Sequence, residues 1–386
     1  MRHGSTGLTA MAVALLALAG SAFAQADPFG ALYGPPPGAP PAKDASSGRT
    51  GSTSISGAVG RSYVGAQAGG QVSLAQLDMM PDMAPPLPVA LQGHATRYLA
   101  NRPKIAIPGY SLAFVQGASA SAFGGGAGLD TSQRRTQIAT RLVGLTDEMA
   151  RDLADMAYAD LVAQLEAAGF EVIDPAQLQS SDQVRGLARH GDAFGGKGII
   201  DSRATKAWIV YGPRSLAPIK GYAFETGMGA IAASGALMSF GRASRDLDAV
   251  IIVPRLLIDY IDMESTGQRT YSGSASVDAE LRFGINPTSR IDFVWGNNGG
   301  GAMPGWFTTK GAFTPQPFGI LAQTADRSDS IATHNALVTI GFGSIYRQSL
   351  VYDAEISPKR YAALSRAAVQ GFNAALVTEI RKARGQ

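Results

Sequence analysis

Residues 157–178, AYADLVAQLEAAGFEVIDPAQL, are the stretch that indicates the fold most clearly. Up to Ala168 the apolar residues recur with the period of an α-helix, and Gly169 is a natural residue to end that helix. The residues FEVI (170–173) then predict a short strand, and the Asp-Pro pair that follows predicts a turn. A helix that turns directly into a strand is typical of α/β domains.

Further helices and strands are predicted on both sides of this stretch. Thr146 is the expected N-cap of the first long helix, and Ser357 with Pro358 is the expected start of a second one that ends near Lys382. Apolar runs and alternating residues predict strands at 104–115, 207–212, 249–261, 270–285, 291–295 and 336–342. The predicted fold class is α/β (α+β), a small mixed sheet packed by two long helices.

The first 24 residues have the layout of a cleaved signal peptide. A positive start at Arg2 and a short apolar run at 8–20 precede a small-x-small site, Ala22 to Ala24. We therefore expect an exported protein of the periplasm or the outer membrane. The chain has no cysteine, so it is expected to have neither a disulfide nor the acylated cysteine of a bacterial lipoprotein.

Residues 25–101 are rich in proline, glycine and serine. Such composition buries too little apolar surface to offset the entropy of ordering, so it predicts a disordered leader. The leader is expected to be a linker, or alternatively an arm that docks on a neighbouring protein or on peptidoglycan. The α/β domain would then span 102–386, with β-rich insertions near 117–145, 222–248 and 287–332.

The composition limits the function classes. Charged residues make up 16% of the chain, against about 25% in an average soluble domain. The net charge is +3, and the lysines and arginines are scattered. Because there is no basic cluster with interleaved aromatic residues, no nucleic-acid partner is predicted.

Two glycine-rich segments are candidates for binding a phosphate group. GDAFGGKG (191–198) has the Gly-x4-Gly-Lys spacing of a nucleotide-binding loop, but Gly198 stands where serine or threonine would contact magnesium. GGGAG (124–128) follows a strand but lacks the required glycine spacing and the acidic partner. Both segments are interpreted as loops, and no cofactor is predicted.

Catalytic and metal-ligating residues are sparse. Ser111 lies in GYSLA (109–113), which departs from the nucleophile elbow at its last position. The histidines after the signal peptide, His94, His190 and His334, are scattered and lack metal-ligand spacing. A serine hydrolase that uses Ser111 with His334 stays open as an alternative, and no catalytic or metal site is predicted.

Two pairs of carboxylates are close in sequence. They are Asp259 with Asp262 and Asp353 with Glu355. The second pair would point to one face of a strand, because side chains two residues apart share a face. Both pairs are interpreted as groups that solvate strand ends rather than as acid–base pairs.

Some segments are compatible with a membrane. Residues 222–240 are apolar and rich in small residues, which suits a membrane-inserting hairpin or a close-packed helix. Glu225 and the glycines of this segment argue against a spanning helix. The alternating strands at 277–285 and 336–342 approach the roughly 9–11 residues of a membrane strand, although an ordinary antiparallel sheet accounts for them better.

The order of elements resembles a fold shared by several bacterial envelope families. Its elements are KIAIPGY (104–110), LVAQLEAAGFEVID (161–174), AWIVYG (207–212), the strand pair at 250–277 and YAALSRAAVQGFNAALVTEIRK (361–382). The families are the curli secretion channel subunit, the outer-membrane activators of penicillin-binding proteins and the amino-terminal domain of the Tol–Pal periplasmic protein. The resemblance implies a small mixed sheet packed against two helices. It transfers no functional residue, because the spacing between elements is longer here and the lipoprotein cysteine is absent.

These patterns together predict a non-enzymatic cell-envelope protein. We expect a binding or assembly component in outer-membrane biogenesis or secretion, which forms a homo-oligomer and has envelope proteins or peptidoglycan as partners. The first alternative is a pore-forming subunit of an outer-membrane secretion channel. The second is a periplasmic serine hydrolase.

Overall fold

A computed structural model describes most of the chain between Arg49 and Ala383. The described residues are 49–60, 64–93, 102–125, 133–187, 193–201, 204–216, 219, 228–267, 273–296, 302–330 and 345–383. The predicted signal peptide, the leader up to residue 48 and the predicted strand at 336–342 lie outside these residues.

Strands and helices follow each other along the chain in this order. The strands are β1 (Thr50–Ser52), β2 (Ser54–Val59), β3 (Val64–Ala68), β4 (Gln71–Ser73), β5 (Leu91–Gly93), β6 (Lys104–Ala106), β7 (Ser111–Gly125), β8 (Gln133–Val143), β9 (Glu171–Val172), β10 (Ala193–Asp201), β11 (Ala204–Tyr211), β12 (Val250–Gly267), β13 (Ala275–Ile285), β14 (Arg290–Gly296), β15 (Ala302–Thr309), β16 (Ala312–Thr314), β17 (Gly319–Asp326) and β18 (Ile345–Ile356). The helices are α1 (Leu74–Asp78), α2 (Asp147–Ala167), α3 (Pro175–Ser180), α4 (Asp182–Arg185), α5 (Met228–Asp246) and α6 (Pro358–Ala383).

The predicted fold class is wrong. Of the described residues, 48% lie in strands and 29% in helices, and ten strands curve into one large, nearly closed sheet. The segments expected as insertions belong to the main fold: 117–145 holds the paired parts of β7 and β8, and 287–332 holds β14 to β17. Local alternation identified many of these strands, but it did not reveal that they join one sheet.

The sheet forks at β7. On one edge β7 pairs with β11 from Leu112 to Ser119. On its other edge it pairs first with β12, at residues 111–114, and then with β8, at 117–125. Two branches of the sheet therefore leave the same edge of one strand. They stay in contact beyond the fork, because Thr136 Oγ1 on β8 donates a hydrogen bond to the carbonyl oxygen of Ala275 at 3.0 Å.

The two long helices pack against each other and against the sheet. The predicted N-cap of α2 is confirmed, since Thr146 Oγ1 accepts a hydrogen bond from the amide of Met149 at 3.2 Å. Asn373 on α6 donates to the carbonyl oxygen of Ala157 on α2 and accepts from the hydroxyl of Tyr110. This buried amide joins both helices to the segment that leads into β7.

The part of the predicted leader that the structure describes is ordered, so the expectation of disorder is wrong for 49–60 and 64–93. It supplies β1 to β5 and α1, and β2 pairs with β13 inside the sheet. Ile55 and Val59 on β2 are buried. A Cβ at Gly57 would lie 3.2 Å from Thr136 Cγ2, so a small residue is required there by the close approach of β2 and β8. The glycine content reflects this packing rather than disorder.

An extended segment, residues 80–90, connects α1 to β5 and lies along α6; we call it the strap. The amide of Leu87 donates to the carbonyl oxygen of Ala367 on α6 at 3.1 Å. Arg360 on α6 donates to the carbonyl oxygen of Pro81 at 3.0 Å. The strap thus ties the first described part of the chain to the last helix.

Candidate functional site

Five neighbouring strands present a row of polar side chains on one face of the sheet. The strands lie in the order β7, β12, β14, β15 and β5, and paired residues on neighbouring strands share a face. The pairings align Ser111, Arg255, Arg290, Thr308 and Gln92. With neighbouring strands about 4.8 Å apart, the row is about 19 Å long.

Asp292 and Trp306 lie beside this row on the same face. They are paired with each other across β14 and β15, two residues along from the pair Arg290 and Thr308. We name the group formed by Arg255, Arg290, Asp292, Trp306 and Thr308 the Trp306 platform. It is built on regular paired strands, which hold their side chains more rigidly than loops do.

A buried carboxylate organises the platform. The Asp292 side chain is 3% exposed. Its Oδ1 accepts a hydrogen bond from Arg290 Nε at 2.6 Å, and its Oδ2 forms an ion pair with Arg255 Nη2 at 2.5 Å. One carboxylate between two guanidinium groups satisfies the buried charge and fixes both arginines, while the group as a whole keeps one positive charge.

Trp306 gives the platform an apolar surface. The residue is 39% exposed, and the guanidinium carbon of Arg290 lies 5.3 Å from the centre of its ring. This distance is within the range of a cation–π interaction. The other two tryptophans are less available, since Trp208 is buried and the guanidinium of Arg102 covers Trp295 at 3.0 Å. An aromatic ring therefore meets solvent next to an oriented arginine.

This arrangement suits non-covalent binding. The exposed indole can stack against a flat or ring-shaped group, and the guanidinium of Arg290 can donate hydrogen bonds to an oxygen acceptor beside it. The hydroxyls of Thr308 and Ser111 add further hydrogen-bonding groups along the row. The platform thus combines an apolar contact surface with directional polar groups.

The structure describes one of the two residues named for the alternative serine hydrolase. Ser111 begins β7 and is paired with Arg255, at one end of the row. His94, His190 and His334 lie outside the described residues. In the described part of the chain no group of three or more metal-ligating side chains comes together.

The glycine-rich candidates are parts of strands where the structure describes them. Residues 193–198 belong to β10, with Gly196 paired to Trp208 on β11, so their interpretation as a loop is wrong. Gly124 and Gly125 end β7, where they pair with β8. Residues 191–192 and 126–128 lie outside the described part.

The first carboxylate pair separates into two environments. Asp262 forms an exposed ion pair with Arg282 at 3.3 Å, in line with the predicted solvating role. Asp259 is fully buried and forms an ion pair with Lys206 at 2.5 Å, so the predicted solvating role is wrong for this residue. The pattern of apolar residues around Asp259 gave no sign of a buried partner, because Lys206 is 53 residues away.

Both residues of the second pair, Asp353 and Glu355, form ion pairs with arginines. Arg141 donates to both oxygens of Asp353, at 3.2 and 2.8 Å, and Arg49 forms an ion pair with Glu355 at 2.8 Å. Burial raises the pKa of Glu355 above its usual value, while the positive charge of Arg49 opposes this shift. These contacts connect β18 to β8 and to the start of the described chain.

The apolar segment 222–240 contributes to helix α5. Its described part begins at Met228, and the helix packs against β14 and β15. The Oγ of Ser244 on this helix accepts a hydrogen bond from the amide of Gly296 at 3.2 Å. Of the two predictions for this segment, the close-packed helix is the one observed. Within the described residues, no helix is long and apolar enough to cross a membrane.

The Trp306 platform was not predicted from the sequence. The alternation of Ile291, Phe293 and Trp295 predicts a strand, and the polar residues Arg290 and Asp292 on its opposite face were the available signal. An aspartate between two apolar residues of a strand, next to an arginine two positions away, indicates a polar cluster on the other face.

No protein-family model, no curated protein and no solved structure matches this chain. Its class is therefore defined by its fold and site alone: a predominantly β protein with an arginine–tryptophan surface on its sheet. The resemblance to the envelope families stays a prediction.

Proposed function

We propose that this protein is a non-enzymatic binding component of the cell envelope and that the Trp306 platform contacts its ligand. The export signal predicted at residues 1–24 supports the location. The observation that carries the proposal is the half-exposed indole of Trp306 beside Arg290, whose guanidinium is held by the buried carboxylate of Asp292.

The geometry favours binding because the polar groups are already oriented. A surface arginine normally loses side-chain entropy when it binds a ligand, and that loss reduces affinity. The bond from Arg290 Nε to Asp292 removes much of this freedom before any ligand arrives. Tryptophan and arginine are also enriched among the residues at which binding energy is concentrated.

Trp306→Ala is expected to weaken binding to isolated cell-envelope fragments at least tenfold. The substitution removes the exposed ring, whose stacking contact is worth about 0.5–1.5 kcal/mol beyond its buried area. The measurement is co-sedimentation of the purified full chain with the fragments over a range of protein concentrations. Trp306→Phe keeps a ring and is expected to keep most of the binding.

Phe123 provides the matched control. Its ring is 51% exposed and also lies near an arginine, with the guanidinium carbon of Arg135 at 5.1 Å. It lies at the far end of β7, away from the row that begins at Ser111. Phe123→Ala should leave binding unchanged. Equal losses in the two alanine variants would show that any exposed ring adheres to the fragments, and the proposal would be withdrawn.

A further inference from the structure

We propose that the ligand of the Trp306 platform is a sugar chain that carries a carboxylate, of the kind found in the glycan strands of peptidoglycan. This inference rests on the proposed function and makes it more specific. It assigns the sugar ring to Trp306 and the carboxylate to Arg290.

The first argument concerns charge. Two guanidinium groups share the single carboxylate of Asp292, so the platform keeps one positive charge. Arg290 is 38% exposed and directs Nε and Nη2 towards Asp292, which leaves Nη1 to donate to an incoming oxygen. An anionic group at this point would be attracted by the guanidinium of Arg290.

The second argument distinguishes a carboxylate from a phosphate monoester. A phosphate monoester carries about −1.5 to −2 charge at neutral pH, whereas a carboxylate carries one negative charge. The buried Asp292 lies directly behind Arg290 and would repel the additional charge.

The third argument concerns the remainder of the ligand. The flat indole of Trp306 can cover one apolar face of a sugar ring, and sugar hydroxyls need donors and acceptors around that ring. Thr308 and Gln92 on one side and Ser111 on the other offer such groups along the row. A row about 19 Å long suits a chain of sugars better than a single small ion.

The test uses two disaccharides that differ in one group. One is N-acetylglucosamine joined to N-acetylmuramic acid, which carries a lactyl carboxylate, and the other is two joined N-acetylglucosamines, which carries none. Binding to the full chain is measured by calorimetry. The acidic disaccharide is expected to bind at least tenfold more tightly, and high salt should reduce this preference.

Three variants assign the preference for the acidic disaccharide to particular residues. Arg290→Gln should remove the difference between the two disaccharides, whereas Trp306→Ala should weaken both. Asp292→Asn tests a positioning role, since it keeps the shape of the side chain but releases Arg290, and it should reduce the preference without removing it. Circular dichroism of each variant checks that the sheet is intact.

The outcomes separate this inference from the proposed function. Equal affinity for the two disaccharides, or tighter binding of glucosamine 6-phosphate, would overturn the carboxylate assignment. If binding to envelope fragments still depended on Trp306, the broader proposal would survive that result. A preference for the acidic disaccharide that persists in Arg290→Gln would also overturn the inference.

Discussion

Replacing Lys206 with methionine is expected to reduce the free energy of unfolding by about 3–5 kcal/mol, because it leaves a buried carboxylate without its cation. The side chains of Lys206 and Asp259 are 3% and 0% exposed, and their charged atoms are 2.5 Å apart. A methionine fills a similar volume but cannot compensate the charge. The measurement is urea unfolding of the full chain.

The position of this ion pair in the sheet explains why it is needed. β12 is paired with β7 up to Ile258, and its register with β13 shifts between Asp259 and Ile261. Asp259 Oδ1 accepts from the amides of Tyr260 and Ile261, and Lys206 Nζ donates to the carbonyl oxygen of Ile261 at 3.2 Å. The pair thus satisfies backbone groups at the place where the sheet forks.

Two further variants make this prediction specific. In the double variant Lys206→Met with Asp259→Asn, the uncompensated charge is gone, so part of the lost stability should return. Lys382→Met is the matched control, because that lysine is 62% exposed and its ion pair with Glu379 is worth less than about 1 kcal/mol. A loss below 1 kcal/mol in Lys206→Met alone would contradict the structural role given to the fork.

Gly371→Ala is expected to detach the strap from α6. An added Cβ would meet the carbonyl oxygen of Leu87 well inside van der Waals distance, and a backbone atom cannot turn away as a flexible side chain can. Such overpacking costs about 1–3 kcal/mol, whereas alanine gains about 1 kcal/mol over glycine within a helix. Stability should therefore change little, while the strap loses its contacts.

Hydrogen exchange distinguishes the loss of the strap's contacts from a change in overall stability. The amide of Leu87, which donates to Ala367, should exchange faster in Gly371→Ala, and the amides of α6 should keep their protection. Gly70→Ala is the control, since no atom lies within 4 Å of the added Cβ. Unchanged protection of Leu87 in Gly371→Ala would contradict the packing described for the strap.

The local elements of this fold could be predicted from the sequence, but their assembly could not. The helix at 157–168 and its cap at Thr146 depend on neighbouring residues, and these predictions are confirmed. The fork depends on one edge of β7 meeting both the neighbouring β8 and β12, which is distant in sequence, and no local pattern encodes which edges meet. The small-residue strand β2 falls in the segment predicted to be disordered, because Gly57 serves a contact with β8 that exists only in the folded chain.

The Trp306 platform could not be predicted from the sequence for the same reason. Alternation predicted the strand that forms β14, but it did not show which residues of other strands pair with the polar residues of its opposite face. Arg255, Asp292 and Trp306 lie on three different strands and meet only through the pairing of β12, β14 and β15. To predict a cluster of this kind, one must know which residues pair across neighbouring strands. A single sequence does not reveal this register.

The most direct test of the central claim is photocrosslinking in living cells. A photoreactive phenylalanine analogue replaces Trp306 in one variant and Phe123 in the other, and the exported protein is irradiated and analysed for adducts. The account predicts adducts at position 306 that a muramidase digests to smaller species, and none at position 123. No adduct at 306, or the same adducts at both positions, would contradict it.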